Sequence, residues 1–203
     1  MNIAILGATG NVGSVILNEA LQRGHCVTAI ARSAARLPDQ AQVVRRSLDI
    51  TDEAALSATL VEHDAVISAL KFTGLDVPSL LRAVRESRVK RLLVVGGAGS
   101  LEMQPGLALV DAPQFPAEYK TEALGGRDFL RALQNETEID WTFLSPSAFL
   151  FPGPATGKFR LGRDQLLIDA EGNSSVLIGD FAVAMLNELE QPQHARQRFT
   201  VGY

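Results

Sequence analysis

Ile3-Ala4-Ile5-Leu6-Gly7-Ala8-Thr9-Gly10-Asn11-Val12-Gly13 decides how the rest of this chain is read. A short apolar run without charge predicts a strand buried on both faces, as strands of a parallel sheet are. It breaks into glycines at positions 7, 10 and 13 and then into the helix-periodic stretch Val12–Arg23. Glycine serves there because a strand must turn tightly into a helix while its backbone lies against a ligand phosphate. The helix N-terminus beyond offers unpaired N–H groups and a partial positive charge, an anion site. A bare glycine-rich turn would need neither the strand before nor the helix after. The segment reads as a dinucleotide site, with Gly7, Thr9, Gly10, Asn11, Val12 and Gly13 forming the cradle.

Working outward, apolar strand-like runs alternate with helix-periodic runs through the first two-thirds of the chain. Strands are predicted at Asn2–Leu6, Cys26–Ala31, Gln42–Arg46, Ala65–Ala69, Arg91–Val95 and Asp140–Leu144. Helices are predicted at Val12–Arg23, Asp52–Leu60, Pro78–Ser87 and Glu118–Gln134. Such alternation implies right-handed crossovers and an α/β fold, a Rossmann-like doubly wound parallel sheet. Thr51-Asp52-Glu53 reads as a capped, acidic helix start, and Gly24 as a helix stop. Residues 98–117 carry Gly99, Pro105, Gly106, Pro113 and Pro116, too irregular for a regular element and long enough to suggest a functional loop. Residues 146–179 are rich in proline and glycine, with Lys158–Leu161 and Leu166–Asp169 as short strands. Ile178–Glu190 returns to helix periodicity, and Arg198–Val201 suggests a last strand. We read 1–203 as one domain in which 146–190 forms a small C-terminal cap facing the substrate.

Bulk properties narrow the function classes. A chain of 203 residues can bury a substantial core, and 46% hydrophobic with 21% charged residues is ordinary globular composition. A net charge of -4 argues against electrostatic affinity for nucleic acid or an anionic membrane. Cys26 stands alone, so no intramolecular disulfide is expected. There is no basic, apolar leader and no uncharged run of spanning length, and a soluble cytoplasmic protein is expected. His25, His63 and His194 lie in unrelated elements without metal spacing and read as surface residues; no metal site is expected.

In a doubly wound fold the second strand ends near the adenosine ribose, where an acid would bond the 2′-hydroxyl of NAD and a cation the 2′-phosphate of NADP. Here that strand runs into Arg32-Ser33. A forked, permanently charged guanidinium suits phosphate, so NADP(H) is preferred over NAD(H), unless Arg32 is a solvated surface residue. Ser68-Ala69-Leu70 ends the fourth strand, where small residues let the backbone approach a ribose, and Lys71 and Phe72 border the same groove. Gly96-Gly97-Ala98-Gly99-Ser100 ends the fifth strand, the edge where the nicotinamide belongs. A purely structural strand end would not need so many small residues.

Taken together, Gly7–Gly13 with its Gly-x-x-Gly-x-x-Gly spacing, Arg32-Ser33, Ser47–Asp52, Val94–Ser100, Phe115–Thr121 and Trp141–Phe149 resemble a known group. They are similar to the NAD(P)H-binding, atypical short-chain dehydrogenase/reductases that include NADH-flavin reductases and biliverdin reductase B. The resemblance spans essentially the whole chain. It implies that Asp49 bonds the adenine amino group, with Leu48 or Ile50 beside the ring; the alternative for Asp49 is a cap on the following helix. It also implies a general acid, a tyrosine with a lysine four residues on.

That dyad is not present. Tyr119 is followed at once by Lys120, and the residue four on is Ala123. Adjacent helical residues point about 100° apart, so Tyr119 and Lys120 cannot stack as the dyad does. Both read as surface or cofactor-edge residues, Lys120 being kept among the cofactor contacts. Reduction of a flavin needs no such dyad, because the cofactor carries the hydride and water can supply the proton. Ser100 and Ser147 are the polar candidates for catalysis beside the nicotinamide, and Pro146 and Phe149 could pack on either ring. Ser147 reads equally as a turn cap after Pro146. Two functions follow: an NADPH-dependent reductase of a small planar redox acceptor such as a flavin or quinone, with flavin as substrate rather than prosthetic group, or an NADP(H)-binding redox sensor with little turnover.

Overall fold

A computed structural model describes all 203 residues. The strands are β1 (Asn2–Leu6), β2 (Cys26–Ala31), β3 (Val43–Ser47), β4 (Ala65–Ser68), β5 (Arg91–Val95), β6 (Glu102–Gln104), β7 (Leu107–Ala108), β8 (Asp140–Pro146), β9 (Phe149–Phe151), β10 (Arg160–Gly162), β11 (Ser175–Leu177) and β12 (Gln197–Gly202). The helices are α1 (Asn11–Gln22), α2 (Glu53–Leu60), α3 (Val77–Glu86), α4 (Ala117–Gln134) and α5 (Ile178–Glu190).

Eight strands form the main sheet in the order β10-β12-β8-β5-β4-β1-β2-β3. All neighbours are parallel except β10, which runs antiparallel along β12 with Leu161 opposite Val201. The sheet is therefore mixed and mostly parallel. Alternation along β1 builds both layers of the core. Ile3 and Ile5 face Ile16, Leu17 and Ala20 of α1 and the apolar face of α5. Ala4 and Leu6 face Leu56 and Leu60 of α2, Leu80 and Val84 of α3, and Phe129 and Leu133 of α4. Nothing in β1 beyond Asn2 is exposed, as a strand covered on both faces requires.

Local chemistry bounds α2 and α1 where the sequence predicts, at Asp52 and Gly24. The Asp52 carboxylate accepts the Ala55 amide at 3.0 Å and caps α2. Asp76 caps α3 in the same way, through the Ser79 amide at 3.1 Å. Gly24 takes φ +81° to close α1, a left-handed conformation that favours glycine.

Several expectations are corrected. Residues 98–117 are not a plain loop: β6 and β7 form a small hairpin turned by Gly106, at φ +80°. Leu166–Asp169 is not a strand; the backbone of Leu166 bonds across to Glu102 instead. The short strand expected at Lys158–Leu161 is Arg160–Gly162. The cap contains a parallel pair, β9 and β11, that the proline-rich sequence around it obscured. Its loop is tied to α5 by Asp180, whose carboxylate accepts the amides of Thr156 and Gly157 and the Thr156 hydroxyl, each at 2.8 Å. The histidines are not free surface groups. His25 is buried against Glu190 at 2.9 Å, His194 bonds Glu188 at 2.8 Å, and His63 bonds the Thr28 hydroxyl at 2.8 Å.

Candidate functional site

The C-terminal ends of β1, β2, β3 and β4 lie side by side, and the turns that leave them enclose a groove of about 520 Å³. The turn after β1 forms its floor. Gly7 takes φ +79°, and a Cβ there would stand 2.6 Å from the Ala69 carbonyl oxygen. Gly13 is buried one turn into α1, where a Cβ would strike the Gly7 carbonyl. Helix and strand end are thus packed backbone on backbone. Gly10 is exposed, and a Cβ there would approach the Gly7 oxygen to 3.2 Å. It begins α1 with no side-chain cap, and no acidic residue occupies the first turn. The first amides of α1 are therefore open to an anion, the arrangement that a nucleotide diphosphate requires.

Arg32 and Ser33 follow β2 at one end of the groove. Arg32 is exposed, and the Ser33 hydroxyl lies 3.2 Å from that of Thr9, which links the turn after β2 to the glycine turn. Asp49 stands on the neighbouring turn. Its carboxylate accepts the Thr51 amide at 3.1 Å and the Thr51 hydroxyl at 2.9 Å. Those bonds, with the charge of Arg32, hold the Asp49 carboxyl below its ordinary value. The cap of α2 is Asp52, not Asp49, so the capping alternative for Asp49 falls away.

Nine of the sequence-derived cofactor residues line this groove: Gly7, Thr9, Gly10, Arg32, Ser33, Asp49, Ile50, Ala69 and Leu70. Leu48 and Lys71 border it too. Others do not. Asn11 and Val12 form the first turn of α1 behind the lip, and Ser68 is buried at the end of β4, in register with Leu6. Phe72 leaves the groove altogether and stacks on Phe143, ring centres 6.3 Å apart. Lys120 is exposed on α4. Thr73, Gly74 and Leu75 complete the groove wall, although the sequence reading singled out none of them. Their signal was the Thr73-Gly74 turn before a capped helix, where Gly74 takes φ +77°.

At the end of β5, where the nicotinamide is expected, two of the small residues have packing reasons. A Cβ at Gly96 would collide with the Phe143 ring, and one at Gly99 would come within 2.8 Å of Ala123. A Cβ at Gly97 would meet Phe72 at 3.5 Å. Gly96 and Gly99 are thus required by β8 and α4 even without a ligand, which corrects the expectation for those two, whereas a side chain at Gly97 would make only an ordinary contact. Ser100 accepts from the Arg198 guanidinium at 3.2 Å, leaving its own proton free to donate. Ser147 is buried and donates to the Val201 carbonyl at 3.1 Å, so its hydroxyl is engaged in joining β8 to β12. Pro146 is buried in the same strand end. Tyr119 is 62% exposed on the first turn of α4. Ala123, where the dyad lysine would stand, is seated on Gly99.

A family model described as NAD(P)H-binding matches residues 7–189. The uncharacterized protein YwnB of Bacillus subtilis is 40% identical over 213 aligned positions, covering 99% of this chain and 98% of that protein. A solved structure from Bacteroides thetaiotaomicron, described as a "putative epimerase", superposes with a TM-score of 0.95 at 38% identity, over 100% of this chain and 96% of that one. A "putative NADH-flavin reductase" from Streptococcus pneumoniae superposes with a TM-score of 0.82 at 31% identity, over 100% of this chain and 99% of that one.

Proposed function

The chain belongs to the NAD(P)H-binding family, and from that premise we propose that it is an NADPH-dependent reductase of a small planar acceptor. The observation that carries the reading is the groove itself. It brings the uncapped start of α1, the Arg32-Ser33 pair and the Asp49 carboxylate to one edge of a doubly wound sheet. Each suits a different part of one ligand: amides for the diphosphate, a guanidinium for a 2′-phosphate, a carboxylate for the adenine amino group. Bound there, NADPH would supply a hydride at its nicotinamide ring.

The protein's own part is binding, orientation and the supply of a hydrogen-bond donor. Ser100 offers one near the end of β5, with Arg198 donating into its oxygen so that its proton points elsewhere. Tyr119 lacks a lysine partner, which disfavours alcohol–ketone chemistry through a phenol and favours acceptors whose proton can come from water. The Streptococcus pneumoniae relative, described as a "putative NADH-flavin reductase", supports the same class of acceptor.

The test is titration with NADPH and NADH followed by steady-state oxidation with FMN or a quinone. Turnover on the order of 1–10 per second supports the reductase. Tight NADPH binding without turnover would instead make the chain a redox sensor, and absence of any nucleotide binding would overturn both.

A further inference from the structure

Glu122 stands one turn into α4, on the helix that carries Tyr119, and its carboxylate reaches across to the loop that follows β4. One oxygen accepts the Phe72 amide at 2.8 Å. The other accepts the Thr73 amide at 2.8 Å and the Thr73 hydroxyl at 2.6 Å. Three donors on one ionised carboxylate form a strong, directional clamp. The same helix also grips the loop by its side chain. Phe72 lies over Gly125 and Gly126, where an added Cβ would fall 2.9 and 2.8 Å from Phe72 atoms, and its ring packs on Phe129 and Phe143.

The residues on either side of this clamp form a wall of the nucleotide groove: Lys71 before it, and Gly74 and Leu75 after it, with Thr73 itself. Lys71, Thr73 and Gly74 are exposed, and Gly74 adds conformational freedom. Ordering such a stretch costs conformational entropy, which a ligand must meet if the protein has not met it beforehand. We propose that Glu122 is a positioning residue for the nucleotide: it holds the 71–75 wall in its binding conformation before the cofactor arrives. The inference rests on the nucleotide reading of the groove. Burial raises the Glu122 carboxyl, but the bonds from Thr73 and Phe72 and the charge of Lys71 outweigh it and keep the group ionised at neutral pH.

Glu122→Gln separates this role from electrostatics. The change removes a negative charge near a polyanionic ligand, so long-range Coulomb effects alone would tighten NADPH binding. Positioning predicts the reverse, because in either orientation the new amide NH2 would face a backbone N–H of Phe72 or Thr73 that it cannot accept. The expected result is an NADPH Kd raised roughly tenfold in titration calorimetry. Hydrogen exchange should show the 71–75 amides faster in the free variant and restored to wild-type protection at saturating NADPH. An unchanged or lower Kd, in a protein whose wild type binds NADPH, would overturn the proposal, as would a lowered Tm with no change in Kd or exchange. Failure of the wild type to bind NADPH or NADH would overturn the nucleotide reading itself.

Discussion

Arg32 offers a sharp test among single residues. It is exposed and lines the groove beside Ser33, and on the proposed reading it meets the 2′-phosphate. A charge-assisted contact of this kind is worth on the order of 1.5–3 kcal/mol, or roughly ten- to a hundredfold in affinity. Arg32→Ala should weaken NADPH binding by about that factor and leave NADH nearly unchanged. Equal losses for both nucleotides in calorimetry would mean that Arg32 does not read the 2′ position. Gly10 gives a second test, because its place differs from that of Gly13. Gly10 is exposed at the mouth of α1, so Gly10→Val should fold and lose NADPH binding. Gly13→Val should fail to fold, because its Cβ has only the Gly7 backbone to enter. Retained NADPH affinity in folded Gly10→Val would remove the anion site from α1. Tyr119 is expected to be dispensable. Tyr119→Phe should cost less than about tenfold in turnover with a flavin or quinone, below the hundredfold typical of losing a general acid. A collapse of several hundredfold with intact NADPH binding would restore the phenol as acid and make a carbonyl the substrate.

Secondary-structure elements show where the sequence was legible and where it was not. β1, β2, β4, β5, β8, β12 and the five helices announce themselves through apolar runs, periodicity, Asp52 and Gly24, since each buries a face against its neighbours; β3, mostly exposed at the sheet edge, was legible without one. The β6–β7 hairpin and the β9–β11 pair escaped because two or three residues carry no period, and prolines around them mimic loop composition. The groove was largely legible for a related reason: its glycine turn and Arg32-Ser33 occupy fixed offsets from β1 and β2. The 71–75 wall was not, because Glu122 holds it from 49 or 50 residues away in sequence, and no local pattern reports such a bond. The glycines of α4 were invisible for the same reason. Gly126 is buried in the helix and faces the Phe72 ring at 2.8 Å from where a Cβ would stand. Gly126→Ala raises helix propensity, yet it should destabilise by about 1–3 kcal/mol through overpacking. Urea unfolding should show a lower midpoint with an unchanged slope. A stabilised variant would mean that Phe72 moves aside freely, and the wall would then not be rigid.

Across the whole molecule, the two ends of the sheet have divided roles. The C-terminal edge carries the open groove, whereas at the start of β5 and β12 the charges are paired among themselves. Glu188, nearly buried at the end of α5, accepts from the Arg91 guanidinium at 2.9 Å, the His194 ring at 2.8 Å and the His194 amide at 2.9 Å. The Gln193 amide adds a further bond at 3.2 Å. These contacts join α5, β5 and the turn before β12, three elements distant in sequence. Burial alone would raise the Glu188 carboxyl, but the bonds from His194 and Gln193 outweigh it and hold the group below its ordinary value. Folding therefore favours the ionised form. Its contribution is complete above the carboxylate range of the unfolded chain and is lost as pH falls through the lower folded value. Glu188→Gln leaves the Arg91 side chain, 11% exposed, without its counter-charge. Breaking a buried pair from one side costs about 3–5 kcal/mol, so urea unfolding at pH 7 should show a loss of that order. The gap between wild type and variant should then narrow as pH drops below about 4, where the unfolded wild-type carboxyl takes up its proton. A gap that stays constant from pH 7 to pH 3 would show that the ionised carboxylate is not what binds α5 to the sheet.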